Sequence, residues 1–130
     1  MMKRRILIVD DELDVCLSVK MGLEENNSEF KVDSFTDPFM ALENFRPDFY
    51  DLIILDIKMP KMNGFELYRE IRKKDNKVKI CFLTAGEMYY GVYTDIFNAL
   101  DVKCLIRKPI DNKELIKRID EIIQRRDFRP

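Results

Sequence analysis

The 130-residue chain has no histidine and no tryptophan, only four glycines and three cysteines, and no long apolar run. Without histidine it lacks the commonest general base and cannot act as a histidine phosphodonor. The three cysteines, Cys16, Cys81 and Cys104, contain no Cys-x-x-Cys pair, so zinc binding is not expected. They sit in apolar stretches, where small core residues are the expectation, and an odd number of thiols suits a reducing compartment. No stretch approaches the roughly 20 apolar residues that a membrane span requires. The basic start Met1-Met2-Lys3-Arg4-Arg5 leads into an apolar run that stops at Asp10, too soon for a secretory signal, so a cytoplasmic protein is expected. Neither sign of charge dominates. With 23 Lys and Arg against 24 Asp and Glu, the formal net charge is −1, which offers no basic excess for nucleic acid.

What is present suits one domain with a substantial core: 46% of residues are hydrophobic and 36% charged, enough to fill an interior and cover it. Five short apolar runs, at about residues 5–9, 30–35, 52–55, 79–83 and 103–106, alternate with amphipathic stretches, the βαβ pattern of a parallel sheet. Ile6-Leu7-Ile8-Val9, Leu52-Ile53-Ile54-Leu55 and Cys81-Phe82-Leu83 are apolar at every position, as central strands covered on both faces are. Phe30-Lys31-Val32-Asp33-Ser34-Phe35 alternates and carries charge, so it is expected at an edge. Leu13, Leu17 and Met21 make a stripe at helical spacing, with Cys16 a candidate fourth member. Asp37-Pro38 reads as an N-cap and first helical residue, followed by Met40, Ala41 and Phe45, with Leu42 a further candidate. Phe65, Leu67, Tyr68 and Ile71 outline a third helix after the turn Met62-Asn63-Gly64. A fourth is expected over about 87–100, weakened by Gly91. A fifth opens at Asp111-Asn112-Lys113-Glu114, at capping-box spacing, and turns Leu115, Ile116, Ile119, Ile122 and Ile123 inward. The expected architecture is a single doubly wound (βα)₅ domain over residues 1–124, with a tail at 125–130.

The chemistry gathers where the strands end. Val9 is followed by Asp10-Asp11-Glu12, Leu55 by Asp56, and Ile106 by Arg107-Lys108-Pro109. In a parallel α/β sheet the carboxyl ends of the strands share one rim, where ligands bind. Three carboxylates brought together repel unless a cation joins them, and hard oxygen ligands suit Mg²⁺. A lysine beside them offers positive charge to an anion, of which phosphate is the natural candidate.

With Val9-Asp10-Asp11-Glu12, Leu55-Asp56-Ile57-Lys58-Met59-Pro60, Asn63-Gly64, Leu83-Thr84-Ala85 and Lys108-Pro109 in this order, the chain resembles response-regulator receiver domains from about residue 3 to 124. The resemblance implies a flavodoxin-like sheet of order 2-1-3-4-5 with helices on both faces. It also implies a phospho-accepting switch fed by a histidine kinase or phosphotransfer protein. Asp56 would be the nucleophile. Asp11, Asp56 and the Lys58 backbone carbonyl would hold Mg²⁺, with Asp10 acting through a water. Lys108 would pair with Asp56 at rest and with a phosphoryl oxygen afterwards. The Thr84 hydroxyl and the Ala85 N–H would serve other phosphoryl oxygens, and Pro109 would follow a cis bond that directs Lys108. Lys58, two residues beyond Asp56, would tune dephosphorylation. Phosphorylation would alter the surface of the fourth and fifth helices and so change binding to a downstream partner or a second copy. One position departs from the pattern: Leu105 stands where the family commonly has an aromatic residue that moves with the threonine.

Simpler readings stay open for each piece. Asp10-Asp11-Glu12 also fits a helix N-cap with acid in its first turn, Asp56 to Pro60 an ordinary strand end, Thr84 a cap and Lys108 a solvated lysine. Tyr89, Tyr90 and Tyr93 either pack singly against the domain or form a docking surface. The basic tail suits a helix C-terminus, with a linker stub as the alternative. Two other functions compete. A phosphohydrolase of the haloacid-dehalogenase type needs a second aspartate where Lys58 stands. An interaction module without phosphorylation would keep the fold alone.

Overall fold

The computed structural model describes residues 4–26, 29–84, 104–108 and 111–124. In chain order these form β1 (Arg4–Val9), α1 (Leu13–Asn26), β2 (Phe30–Phe35), α2 (Pro38–Asn44), β3 (Leu52–Asp56), α3 (Gly64–Lys74), β4 (Lys79–Thr84), β5 (Leu105–Arg107) and α4 (Asn112–Gln124). All strand pairings are parallel, in the order β2-β1-β3-β4-β5. The alternating strand β2 is at one edge, and the three uniformly apolar strands occupy the centre.

Those central strands are apolar at every position because both faces of the sheet are covered. Leu7, Val9, Ile53, Leu55, Ile80 and Phe82 face a layer with Ala41 of α2 and Phe65, Leu67 and Ile71 of α3. The alternate residues Ile6, Ile8, Leu52, Ile54, Cys81 and Leu83 face Cys16, Val19 and Leu23 of α1 and Leu115, Ile119 and Ile122 of α4. Burying each large aliphatic side chain contributes roughly 1.5–3 kcal/mol. Caps close the helix ends. Asn63 and Glu66 form the capping box that opens α3, Asp37 accepts from the Phe39 N–H at 2.9 Å, and Asp111 accepts from the Glu114 N–H at 2.9 Å. At the far end of α4, Lys79 of β4 donates to the carbonyls of Ile122 and Ile123, which the helix itself leaves open.

Two helical stripes differ from the sequence expectation. On α1, Leu13, Leu17 and Met21 are 58%, 44% and 55% exposed, while Cys16, Val19 and Leu23 are buried. Apolar residues on α1 satisfy two helical stripes, and packing selects one. Gly22 lies on the selected side, and a Cβ there would stand 2.9 Å from the Asn112 side chain of α4. On α2, Met40 is exposed together with Phe39, and the inward spacing is Pro38, Ala41 and Phe45.

The cysteines are core residues, but two of them are not thiols. Cys81 and Cys104 are joined by a disulfide, with Cα atoms 4.7 Å apart, in the range such a bond needs. They are neighbours across β4 and the start of β5, where the Phe82 N–H donates to the Cys104 carbonyl. A sequence separation of 23 conceals that adjacency. Cys16 is the free cysteine, and it is buried. Among the described residues no helix is long and apolar enough to cross a membrane.

Candidate functional site

The strand register delivers the acidic residues to one rim. Val9 of β1 pairs with Leu55 of β3, so Asp10 and Asp56 follow side by side, and Asp56 pairs with Leu83 just before Thr84. Thr84 pairs with Arg107, which places Lys108 beyond it. Two backbone bonds fasten this end: Lys108 N–H donates to the Thr84 carbonyl at 2.6 Å, and Ile57 N–H to the Leu83 carbonyl at 3.0 Å.

Asp10 is fully buried and Asp56 nearly so, while Asp11 is exposed. One carboxylate oxygen of each lies within 4.8 Å of the others. Asp10 is held in place from both sides: its N–H donates to Phe35 of the edge strand at 3.1 Å, and its Oδ1 accepts from the Glu12 N–H at 2.9 Å. The latter bond is an Asx-type turn that leads the chain from β1 toward α1, so Asp10 both lines the acid pocket and shapes the entry to the helix. Burial, the Asp10 charge and the adjacent Asp11 push the Asp56 carboxyl up to about 8, against the opposing pull of Lys108. Burial also raises Asp10, and it raises the nearby Cys16 thiol to about 11.

Lys108 is the cation in this pocket. Its Nζ lies 2.7 Å from Asp10 Oδ2, 3.1 Å from Glu12 Oε1 and 3.6 Å from Asp56 Oδ1. Burial alone would lower the ammonium, but the Asp10 and Asp56 carboxylates outweigh it and hold its pKa above the usual lysine value. The resemblance assigns Asp56 as the resting partner. The structure places the ammonium closest to Asp10 and hydrogen-bonds it to Glu12. Sequence reasoning passed over Glu12, whose only mark was its place behind two aspartates.

The loop after β3 is equally constrained. Ile57 and Met59 are buried and Lys58 is exposed. Gly64 N–H donates to the Ile57 carbonyl at 2.9 Å, and a Cβ on Gly64 would fall well inside van der Waals contact distance of the Asp56 carbonyl oxygen. Glycine at the start of α3 therefore lets the helix seat directly on the backbone of the acidic residue. A cleft of about 390 Å³ opens beside this loop, lined by Ile57, Lys58, Met59, Pro60, Asn63 and Phe65. Leu105 is half-buried against the α2 and α3 layer. The remaining expected participants, Ala85, Tyr89, Tyr90 and Pro109, lie outside the described residues, as do the expected helix at 87–100 and the tail at 125–130.

The donor set fits a hard divalent cation. One oxygen from each of three carboxylates lies within 4.8 Å of the others, and burial with the neighbouring Asp10 charge disfavours ionisation of Asp56 in spite of Lys108.

Comparison with known proteins agrees. The response regulator receiver domain family matches residues 6–120, and the chain belongs to that family. It is 34% identical over 126 residues to the regulatory protein VanRB of Enterococcus faecalis, covering 95% of this chain and 54% of that protein. It is likewise 34% identical over 121 residues to the response regulator ArlR of Staphylococcus aureus, covering 93% and 53%. The chain thus spans about half the length of these curated relatives. Among solved structures, the non-phosphorylated HemR receiver domain from Leptospira biflexa superposes with a TM-score of 0.82 at 30% identity, covering 98% of each chain.

Proposed function

We propose that this receiver domain takes its phosphoryl group on Asp56, from the histidine of a kinase or phosphotransfer protein, and passes the signal on by changing its surface. The observation that carries the reading is the convergence of Asp10, Asp11 and Asp56 with Lys108 at the carboxyl ends of three parallel strands. An Asp56 oxygen attacks phosphorus, the bond to the donor nitrogen breaks, and the leaving imidazole stays with the donor protein. Mg²⁺, when bound by Asp11, Asp56 and the Lys58 carbonyl with Asp10 in support, supplies the positive charge that keeps Asp56 ionised and offsets repulsion from the incoming phosphate. Lys108 moves to a phosphoryl oxygen, and Thr84, held to Lys108 through the backbone bond between them, serves another. The domain turns over no metabolite; water later hydrolyses the aspartyl-phosphate, and the exposed Lys58, two residues beyond Asp56, tunes that step.

Intact mass after incubation with acetyl phosphate tests the assignment. One added phosphoryl group, requiring Mg²⁺ and absent in Asp56→Asn, is expected. Labelling that persists in Asp56→Asn would move the acceptor elsewhere. No labelling from either acetyl phosphate or a phosphorylated kinase would favour an interaction module without phosphorylation.

The exposed stripe of α1 supplies a place for the donor protein. Leu13, Leu17 and Met21 recur at intervals of four residues and begin two residues beyond Asp11, so the apolar face leads directly from the acid rim. A phosphodonor helix laid along it would bring its histidine to Asp56. Leu17→Glu is expected to slow transfer from the cognate kinase by about 10-fold or more, the scale of losing one buried anchor. Labelling by acetyl phosphate, which requires no protein docking, reports whether the acid site itself is intact. Equal transfer rates for Leu17→Glu and the parent would exclude this face.

A further inference from the structure

We propose that Glu12 is a positioning residue for Lys108, the partner that takes the ammonium when the acid pocket accepts its divalent cation. The inference rests on the metal-binding reading above and concerns a residue to which that reading gives no part.

The geometry sets up a competition. Lys108 Nζ, at 2.7 Å from Asp10 Oδ2 and 3.6 Å from Asp56 Oδ1, draws on two of the three carboxylates that would hold a cation. A divalent ion among those oxygens and an ammonium against them carry charges of the same sign, and in a half-buried site their repulsion is weakly screened. The lysine has to withdraw from Asp10 as the ion enters. It needs a destination that keeps it within reach of a phosphoryl group on Asp56, because an ammonium released to water would have to be gathered again.

Glu12 is placed for this. Its Oε1 accepts a hydrogen bond from Lys108 Nζ at 3.1 Å. Its side chain is 63% exposed, against 0% for Asp10, so a lysine that kept Glu12 and gave up Asp10 would stand at the outer edge of the pocket. Its backbone is fixed by the N–H bond to Asp10 Oδ1, which sets the distance between the two acids that share the ammonium. A fully exposed carboxylate elsewhere on α1 would give a mobile and weak pair. Here one end of the pair is anchored by the pocket itself. Glu12 thus allows cation binding and retention of the lysine together.

A double-mutant cycle on Mn²⁺ binding tests this, with Mn²⁺ followed by electron paramagnetic resonance in the full chain. Glu12→Gln is expected to weaken Mn²⁺ binding about three- to ten-fold, because the lysine then stays on Asp10 and Asp56. In a Lys108→Gln background the same change is expected to have less than about a two-fold effect. Glu12→Asp keeps the charge but withdraws the carboxylate by one methylene, and should resemble Glu12→Gln. Equal weakening by Glu12→Gln in both backgrounds, or Glu12→Asp binding as the parent does, would mean that Glu12 acts by its charge alone and would overturn the proposal. So would an unchanged affinity in Glu12→Gln. If the parent chain itself binds no Mn²⁺, the metal reading fails first and takes this inference with it.

Discussion

Freed of divalent cations, the protein is expected to lose stability as the pH rises from 5 to about 8, and Asp56→Asn to remove the larger part of that loss. The Asp56 carboxyl is pushed from 3.8 up to about 8 by burial and by the Asp10 charge beside it. Between those values the folded protein binds a proton that the unfolded chain has released. Its contribution is therefore fully present below the unfolded value and lost as pH rises through the folded one. Two groups with lowered pKa, Glu24 and Asp75, act in the opposite sense. Burial alone would raise both, but it is outweighed in Glu24 by the Val32 N–H together with the Lys20 ammonium, and in Asp75 by three backbone N–H bonds together with the Arg72 charge. Their contribution is already complete above the ordinary carboxylate range. Above pH 5 the acid site governs. The expected loss is about 2–4 kcal/mol, or a fall of roughly 8–15 °C in Tm for a domain of this size. Asp10, also raised, supplies what slope remains in Asp56→Asn. Mg²⁺ should reverse the trend, since it binds the ionised carboxylates, and its stabilisation should grow with pH. Thermal unfolding in chelator at pH 5 and pH 8 checks this. A Tm that stays level would show that Asp56 is ionised without a cation.

Gly64→Ala is the second change expected to matter most. The glycine has no positive φ to maintain. Its requirement is space, because an added methyl would press on the Asp56 carbonyl and on Ile57 Cα, and backbone cannot step aside as a side chain can. The helix start or the end of β3 must move. We expect a loss of about 1–3 kcal/mol in stability, and phosphorylation by acetyl phosphate slowed about 10-fold or more, since Asp56, the proposed acceptor, would lose alignment with its phosphoryl donor. Gly22→Ala makes a fitting control. The Cβ there would meet only the tip of the Asn112 side chain, which can rotate away. If the two substitutions behave alike, the seating of α3 on Asp56 is not what positions the nucleophile.

Much of this was legible along the chain. Strands apolar at every residue announced a sheet covered on both faces, and β2 with its charges announced an edge. Aspartates and a lysine directly after those strands announced a shared rim, because parallel strands end together. Each inference depends on neighbours in sequence or on a repeat of two or 3.6 residues, which local backbone geometry enforces. Other features depend on which surfaces meet. The α1 helix carries two apolar stripes, and only contact with the sheet and α4 left Leu13, Leu17 and Met21 outside. Met40 is outside for the same kind of reason, since a short α2 turns Pro38, Ala41 and Phe45 inward.

The composition and order of residues by themselves determined a parallel α/β domain with an acidic phosphoryl-transfer rim. Tertiary structure decided that Cys81 meets Cys104, that Lys108 is shared by Asp10, Glu12 and Asp56, and that Gly64 rests on the carbonyl of Asp56. The division has a physical cause. Periodicity and strand ends are encoded over a few residues, whereas pairings between residues some 8 to 98 apart exist only once the sheet and helices have packed.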